Sequence, residues 1–138
     1  MRIFPLALAA LALSVPVTAA ETPARLTVTL ANFSFTPADL HLHAGEPVTI
    51  HFVNEGSGGH DFTAEEFFAA STMDAANRTR VEGAKGRVSL GKGESSDVTL
   101  TPRAGTYKVH CSHFMHSSLG MTGKIVVDSR TAAQKRLT

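Results

Sequence analysis

The sequence contains a single cysteine, Cys111, among 138 residues, and no tryptophan. One cysteine cannot form an internal disulfide, which excludes the class of small exported proteins held together by disulfides. Neither sign of charge is in excess, since 13 lysines and arginines accompany 12 aspartates and glutamates. This balance argues against non-specific binding to nucleic acid or to a membrane surface.

Long apolar runs are missing except at the N-terminus. Arg2 is followed by an apolar run from Ile3 to Val15 and by the small residues Val17-Thr-Ala-Ala20, which is the order of a secretory signal peptide. The run is too short for a membrane anchor, and no cysteine near the cleavage point offers a lipid attachment. We therefore expect cleavage near Ala20 and an exported, periplasmic protein without a membrane anchor.

The sequence is divided into three parts on this basis. Residues 1–20 are the signal peptide, residues 21–128 form one domain, and residues 129–138 are a polar C-terminal tail. A mature chain of about 118 residues suits a single domain with one core. Because Arg2 is the only charge in the signal peptide, the mature chain has 12 basic and 12 acidic residues. We expect it to be a monomer with no nucleic-acid partner.

Alternation of apolar and polar residues along the mature chain predicts short β-strands with one buried face. The apolar positions are Leu26, Val28 and Leu30; Leu40 and Leu42; Val48, Ile50 and Phe52; Val88 and Leu90; Val98 and Leu100; Tyr107, Val109 and Cys111; and residues 124–127 form the last strand. Turn sequences rich in glycine and proline separate these strands. Such a series of strands within about 100 residues predicts an all-β, Greek-key sandwich.

One segment departs from the strand pattern. The residues Thr63-Ala-Glu-Glu66 form a capping-box sequence, in which Thr63 accepts from the backbone N–H of Glu66 while Glu66 reaches back. Two phenylalanines follow at once. The sequence therefore predicts one short helix inserted around residues 64–77, with a polar loop from Arg78 to Gly86.

Three side chains with metal-binding donor atoms follow one another near the C-terminus. Cys111, His116 and Met121 supply a thiolate, an imidazole and a thioether, which is the donor set of a mononuclear copper site lacking one histidine. His60, at the end of a glycine-rich run, is well placed to supply it. A free cysteine can also be a small buried hydrophobe, but that interpretation leaves His116 and Met121 unexplained. A bond to a metal ion would also protect the thiol in an oxidising compartment.

Two other residues in the same loop compete for these roles. His113 lies two residues after Cys111, a tight spacing for closing a chelate around one ion, so the spacing of five residues favours His116. Met115 competes with Met121 for the thioether position. Met121 is favoured because the residues after it return the chain to a strand at the inner end of the sandwich.

The remaining histidines occupy polar positions of strands. His41, His43 and His51 alternate with apolar residues, and His110 points outward by the same alternation. Solvated surface is the default interpretation of such positions. A weak second metal site formed by the first three is the alternative, because imidazole is the commonest metal-binding side chain.

The ligand types and their order resemble the cupredoxins, the small blue type 1 copper proteins that include plastocyanin, azurin, rusticyanin and auracyanin. The resemblance rests on Phe35-Thr-Pro37, Leu42-His-Ala-Gly45-Glu-Pro-Val48, Phe52-Val-Asn54, His60 and the stretch from Cys111 to Gly123. The spacing Cys-x4-His-x4-Met is that of the rusticyanin and auracyanin branch. The resemblance implies one copper per chain, Cu(I) or Cu(II), with His60, Cys111 and His116 in a plane and Met121 as a long axial contact.

This resemblance implies single-electron transport between periplasmic redox proteins, which would dock on an apolar face around His116. On that face we expect Met115 and Leu119 to be exposed, whereas Phe114 is either exposed or folded into the core. An enzyme is not expected, because catalysis at a metal needs an open coordination position and the chain lacks room for further copper domains. The alternative function is periplasmic copper trafficking or resistance, which His113 and Met115 keep open.

The sequence departs from the family directly after the first histidine. The family often has asparagine or serine there, and this chain has Asp61. A carboxylate can still accept a hydrogen bond from the backbone or hydroxyl of Ser112 and so connect the two ligand segments. Its negative charge would favour Cu(II).

Overall fold

The computed structural model of the protein describes residues 22–129 together with residues 134 and 137. The predicted signal peptide and most of the predicted C-terminal tail lie outside the described residues. Within the part that is described, no helix is both long enough and apolar enough to cross a bilayer.

The described residues form two β-sheets that make a sandwich, so the predicted fold class is confirmed. The strands are β1 (Ala24–Ala31), β2 (Ser34–Thr36), β3 (Asp39–His43), β4 (Val48–Asn54), β5 (His60–Thr63), β6 (Arg87–Leu90), β7 (Ser95–Leu100), β8 (Gly105–His110) and β9 (Thr122–Asp128). One sheet has the order β2-β1-β4-β7, and the other has the order β3-β9-β8-β5-β6. β1 with β4 and β3 with β9 are parallel pairs, whereas β8 and β9 form an antiparallel hairpin around the predicted ligand loop.

The core lies between the two sheets and is built from the positions that the alternation predicted to face inward. In β4 the burial alternates strictly, and Ile50 and Phe52 are fully buried. In β8, Tyr107 and Val109 are buried and the next inward position is the buried Cys111. Burying one large apolar side chain contributes about 1.5–3 kcal/mol, so the register of β8 is strongly fixed. A slip of one residue would turn Cys111 out to solvent.

The prediction of one helix around residues 64–77 is wrong, because the segment contains two. They are α1 (Glu65–Ala70) and α2 (Ala75–Arg80), and a 3-10 turn follows at Gly83–Lys85. Asp74 is the N-cap of α2 and accepts from the backbone N–H of Asn77 at 2.8 Å. This cap starts a second helix near the predicted end of the first one. The last residues of α2, from Arg78 to Arg80, lie where the sequence predicted a polar loop.

The predicted capping box is also wrong. Thr63 is the last residue of β5 and pairs with His110 of β8, so it is not available as an N-cap. Its hydroxyl donates to Asp61 Oδ1 at 2.6 Å, and Ala64 is the N-cap of α1 without a side-chain hydrogen bond. Strand pairing has therefore overridden the local capping signal, and the same strand begins at His60, directly after the glycine-rich run.

Candidate metal centre

The loop between β8 and β9 is closed at its base by Cys111 and Met121. The backbone N–H of Cys111 donates to the carbonyl of Met121 at 3.1 Å, which extends the hairpin ladder one step beyond the pair of His110 and Thr122. Both side chains are fully buried. The hairpin therefore brings the predicted thiolate and thioether residues together at the inner end of the sandwich.

Backbone hydrogen bonds inside this loop hold His116 in place. The N–H of His116 donates to the carbonyl of His113 at 3.1 Å, and the N–H of Met121 donates to the carbonyl of His116 at 2.9 Å. The turn requires a positive φ of 63° at Met115. His116 is thereby directed inward, and its Nδ1 lies 3.5 Å from Cys111 Sγ.

His60 is the first residue of β5, and only one of its two ring nitrogens has a hydrogen-bond partner among the described residues. Its Nε2 lies 3.2 Å from Asn32 Oδ1, and that oxygen also accepts from the backbone N–H of Ser57 at 3.0 Å. Since Oδ1 is an acceptor, Nε2 carries the proton and Nδ1 presents a lone pair. Nδ1 is buried and has no hydrogen-bond partner among the described residues.

The structure thus brings together all four residues that the sequence singled out. A ring nitrogen of His60, a ring nitrogen of His116 and Cys111 Sγ all lie within 4.8 Å of one another. Met121 is buried directly beside Cys111 through the backbone bond described above. The assignment of these four residues, the inner site, as metal ligands stays a prediction.

The inner site has the electrostatics that a transition-metal ion requires. Burial, and then the neighbouring His116 and His113, lower the pKa of His60, which keeps its imidazole neutral. Burial raises the pKa of the Cys111 thiol, so its thiolate needs a cation nearby. Leaving a buried acceptor such as His60 Nδ1 unsatisfied costs about 1–3 kcal/mol. A metal ion that accepts sulfur and nitrogen donors would satisfy both groups, so the residues present fit such an ion.

Asp61 connects the two segments that carry the inner site. It is buried, and its Oδ1 accepts from the backbone N–H of Ser112 at 2.8 Å while its Oδ2 accepts from the Ser112 hydroxyl at 2.5 Å. The link expected from the sequence is therefore confirmed, and the hydroxyl of Thr63 adds a third hydrogen bond. Outer bonds of this kind orient ligands and tune a bound metal.

The competing residues lie at the edge of the inner site. His113 is exposed, its ring stacks on that of His116 at a centroid distance of 5.4 Å, and its Nε2 lies 3.6 Å from Asp61 Oδ2. Met115 is half exposed whereas Met121 is buried, which agrees with the preference for Met121.

His41, His43 and His51 are not part of any metal-type cluster in the described part of the chain. His51 Nδ1 instead contacts Asp97 Oδ1 at 2.5 Å, and His41 is exposed. A second metal site made of His41, His43 and His51 therefore finds no support in this fold.

Sequence reasoning missed three residues that shape the site: Asn32, Phe33 and Gly56. Asn32 fixes the tautomer of His60, and the Phe33 ring packs edge-on against His116 at 5.2 Å. An asparagine at the end of an alternating strand does indicate a turn. Nothing in the local sequence indicates that this turn meets the ligand loop, because the contact depends on how β1 packs beside β5.

Gly56 makes room for the His60 ring, and Gly56→Ala is expected to weaken metal binding. A Cβ at this position would lie 2.5 Å from His60 Nε2 and 2.9 Å from Asn32 Oδ1, so the ring or the asparagine must move. We expect a loss of metal affinity of roughly 10–100-fold, the range for outer-shell changes, measured by competition with a chelator. Gly58→Ala in the same loop is the control, because its Cβ would meet nothing within 4 Å. Equal affinities of the two variants would contradict the role given to Gly56.

Comparison with known proteins identifies the family of the fold. Residues 4–127 match the family model of the cupredoxin-like domain. The structure of dithionite-reduced auracyanin from the photosynthetic bacterium Roseiflexus castenholzii is similar, with 17% identity, a TM-score of 0.58, and coverage of 78% of this chain and 99% of that one. Auracyanin B has 27% identity, a TM-score of 0.54, and coverage of 80% and 93%. No curated protein sequence matches significantly. The resemblance predicted from the sequence is thus confirmed, and the chain belongs to the cupredoxin-like domain family.

Proposed function

We propose that the protein is a carrier of single electrons that binds one copper ion per chain through the inner site. The observation that carries this proposal is the buried, unpartnered Nδ1 of His60, set in the group of donors around Cys111 Sγ. The likeness to auracyanin B supports it.

The test is a titration of the metal-free protein with Cu(II). One equivalent should saturate an intense visible absorption, and a protein that binds copper without this absorption would contradict the proposal.

The contribution of the protein chain to this function is to hold the donor side chains in fixed positions. Bound copper would supply a one-electron couple, because Cu(I) accepts thiolate and thioether donors and Cu(II) accepts imidazole. The residues of the chain hold those donors in place in advance. The hairpin bond fixes Cys111 beside Met121, Asn32 orients His60, and Asp61 ties β5 to the ligand loop. Donors that do not move between oxidation states favour fast electron transfer.

Four fixed donors also leave no open position for a substrate, so we propose a carrier and not an enzyme.

Electrons would leave through the exit face, which we define as Phe33, Phe114, Met115 and Leu119 around the partly exposed His116. All four apolar side chains are exposed, and Phe114 reaches 89%. The expected exposure of Met115 and Leu119 is confirmed, and Phe114 takes the exposed alternative. Exposed large apolar groups gathered around one residue mark an interaction site. A small apolar contact suits a redox partner that must dock and leave quickly. That partner is periplasmic if the predicted signal peptide is used.

Leu119→Lys is expected to slow electron exchange with partners without altering the metal site. The substitution places a charge in the middle of the exit face, whereas Leu119 lies outside the inner site. Exchange rates measured by stopped flow should fall about tenfold, equivalent to roughly 1.4 kcal/mol of docking free energy, with an unchanged spectrum and potential. Because the mature chain is formally neutral, the salt dependence should be shallow.

Ala24→Lys is the matched control for this prediction. Ala24 is exposed at the opposite end of β1 from Asn32, roughly 25 Å away at about 3.3 Å per strand residue. It adds the same charge far from the exit face and should leave exchange unaffected. If Leu119→Lys also left partner exchange and self-exchange unaffected, electrons would have to leave by another face.

Met121→Leu is expected to keep copper bound and to raise the reduction potential. Removing a weak donor lowers the number of ligands, which Cu(I) tolerates better than Cu(II) does, and each tenfold change in relative affinity corresponds to about 59 mV for one electron. We expect a rise of that order in a potentiometric titration. Met73→Leu makes the same change at a methionine packed against the core elsewhere and should leave the potential alone. Complete loss of copper from Met121→Leu would show that Met121 anchors the metal and does not merely tune it.

A further inference from the structure

A second group of donor atoms lies beside the inner site and shares Cys111 with it. A carboxylate oxygen of Asp61, Cys111 Sγ and a ring nitrogen of His113 all lie within 4.8 Å of one another. We call this group the outer site, because the His113 side chain is 45% exposed whereas His60 is buried. Carboxylate, thiolate and imidazole are donors that divalent transition-metal ions accept together.

Asp61 keeps one acceptor position open for such an ion. Its Oδ1 already accepts two hydrogen bonds, from the backbone N–H of Ser112 and from the hydroxyl of Thr63. Its Oδ2 accepts one, from the Ser112 hydroxyl, although a carboxylate oxygen has two lone pairs. The carboxylate therefore does not have to give up a hydrogen bond to bind a metal through Oδ2.

The separation of Oδ2 from His113 fits two ligands of one ion. His113 Nε2 lies 3.6 Å from Asp61 Oδ2, which is too long for a hydrogen bond. Two oxygen or nitrogen ligands at about 2.0–2.2 Å from a tetrahedral ion lie roughly 3.3–3.6 Å apart. The His113 ring is also held in position, since it stacks on His116 at an interplanar angle of 18° and lies over Gly59, where a Cβ would be 3.4 Å from Cε1.

Charge separates the preferences of the two sites. In the outer site the ionised Cys111 and Asp61 carry two negative charges, which together neutralise a divalent ion. In the inner site Cys111 is the single anionic ligand, and the Asp61 carboxylate acts on the ion only from a distance, so a divalent ion is neutralised less directly there. An uncompensated buried charge is costly. The outer site, with its two anionic ligands, therefore prefers a divalent ion to a monovalent one.

We propose that Asp61, Cys111 and His113 form a second metal site for a divalent transition-metal ion such as Cu(II). The two sites share the Cys111 sulfur, and a single ion occupies one of them at a time. The outer site gives an ion arriving from solvent a first position at His113. From there the ion reaches the inner site by exchanging two ligands, Asp61 and His113, for His60 and His116, while Cys111 stays bound. This inference goes beyond electron transfer and shares two residues with the proposed function, the ligand Cys111 and Asp61, which connects β5 to the ligand loop.

The test uses Co(II) as the probe, in a variant that lacks both inner imidazoles, His60→Ala/His116→Ala. This variant is expected to bind one Co(II) with a sulfur-to-cobalt charge-transfer absorption. Adding His113→Ala should lower the Co(II) affinity at least tenfold, and adding Asp61→Asn should also lower it. Adding His110→Ala is the matched control, because His110 is exposed on the outward face of β8, and it should change nothing. If the double variant does not fold, the same additions are compared in His116→Ala alone.

Two results would overturn the proposal. One is a folded double variant, verified by near-ultraviolet circular dichroism, that binds no Co(II). The other is an affinity that either His113→Ala or Asp61→Asn leaves unchanged. Neither result bears on the electron carrier, because that proposal is tested by the copper spectrum of the unaltered protein.

Discussion

The Cys111→Ser variant will lack the intense visible absorption of the copper-loaded protein. Cys111 Sγ is fully buried and lies 3.5 Å from His116 Nδ1, so it is the one soft anionic donor of the inner site. In the proposed copper site the absorption would arise from charge transfer between this sulfur and copper, which a serine hydroxyl cannot supply. We expect complete loss of the band, and a fall in copper affinity beyond the roughly 10–100-fold that follows loss of an outer-shell partner. Absorption spectra and chelator competition measure the two effects.

His110→Ala is the control for this variant. His110 precedes Cys111 by one residue and is exposed, since alternate residues of β8 face opposite sides of the sheet. Its removal should leave both the band and the affinity unchanged. A Cys111→Ser protein that kept the band would remove Cys111 from the site.

The His116→Gly variant is expected to lose the native spectrum and to regain it when imidazole is added. His116 is partly exposed beneath the exit face, so removing its ring opens a path from solvent to Cys111 Sγ. A free imidazole can enter through this opening and supply the missing nitrogen. Absorption and electron paramagnetic resonance spectra, recorded with and without imidazole, measure the recovery.

His113→Ala provides the comparison, because it removes an imidazole from the same loop. All four inner donors remain in that variant, so its copper spectrum should largely be preserved. Loss of the band in His113→Ala, together with its retention in His116→Gly, would transfer the ligand role to His113.

Much of the candidate site could be predicted because its signal is carried by side-chain chemistry. A single cysteine, a histidine five residues later and a methionine five residues after that leave few alternatives. Strand alternation then predicted that Cys111 faces the core. The choice of His116 over His113 also agrees with the fold, in which the His116 ring points toward the sulfur.

The surroundings of the site could not be predicted in the same way, because they depend on tertiary contacts. Asn32 reaches His60 across 28 positions of sequence, and the need for glycine at position 56 exists only because the His60 ring lies against it. The error in the helical segment is partly different in kind. Asp74 is a strong N-cap residue, so the local sequence does contain the signal for a second helix. The capping pattern of Thr63 and Glu66 fails for a tertiary reason, because Thr63 pairs with His110 of β8.

The most direct test of the central claim is a reductive titration of the copper-loaded protein in the presence of a Cu(I) chelator. An electron carrier with buried, fixed donors should lose its visible band on reduction and recover it fully on reoxidation, through repeated cycles, with the copper retained. Transfer of copper to the chelator on reduction, with no recovery of the band, would contradict the account and identify the protein as one that delivers copper.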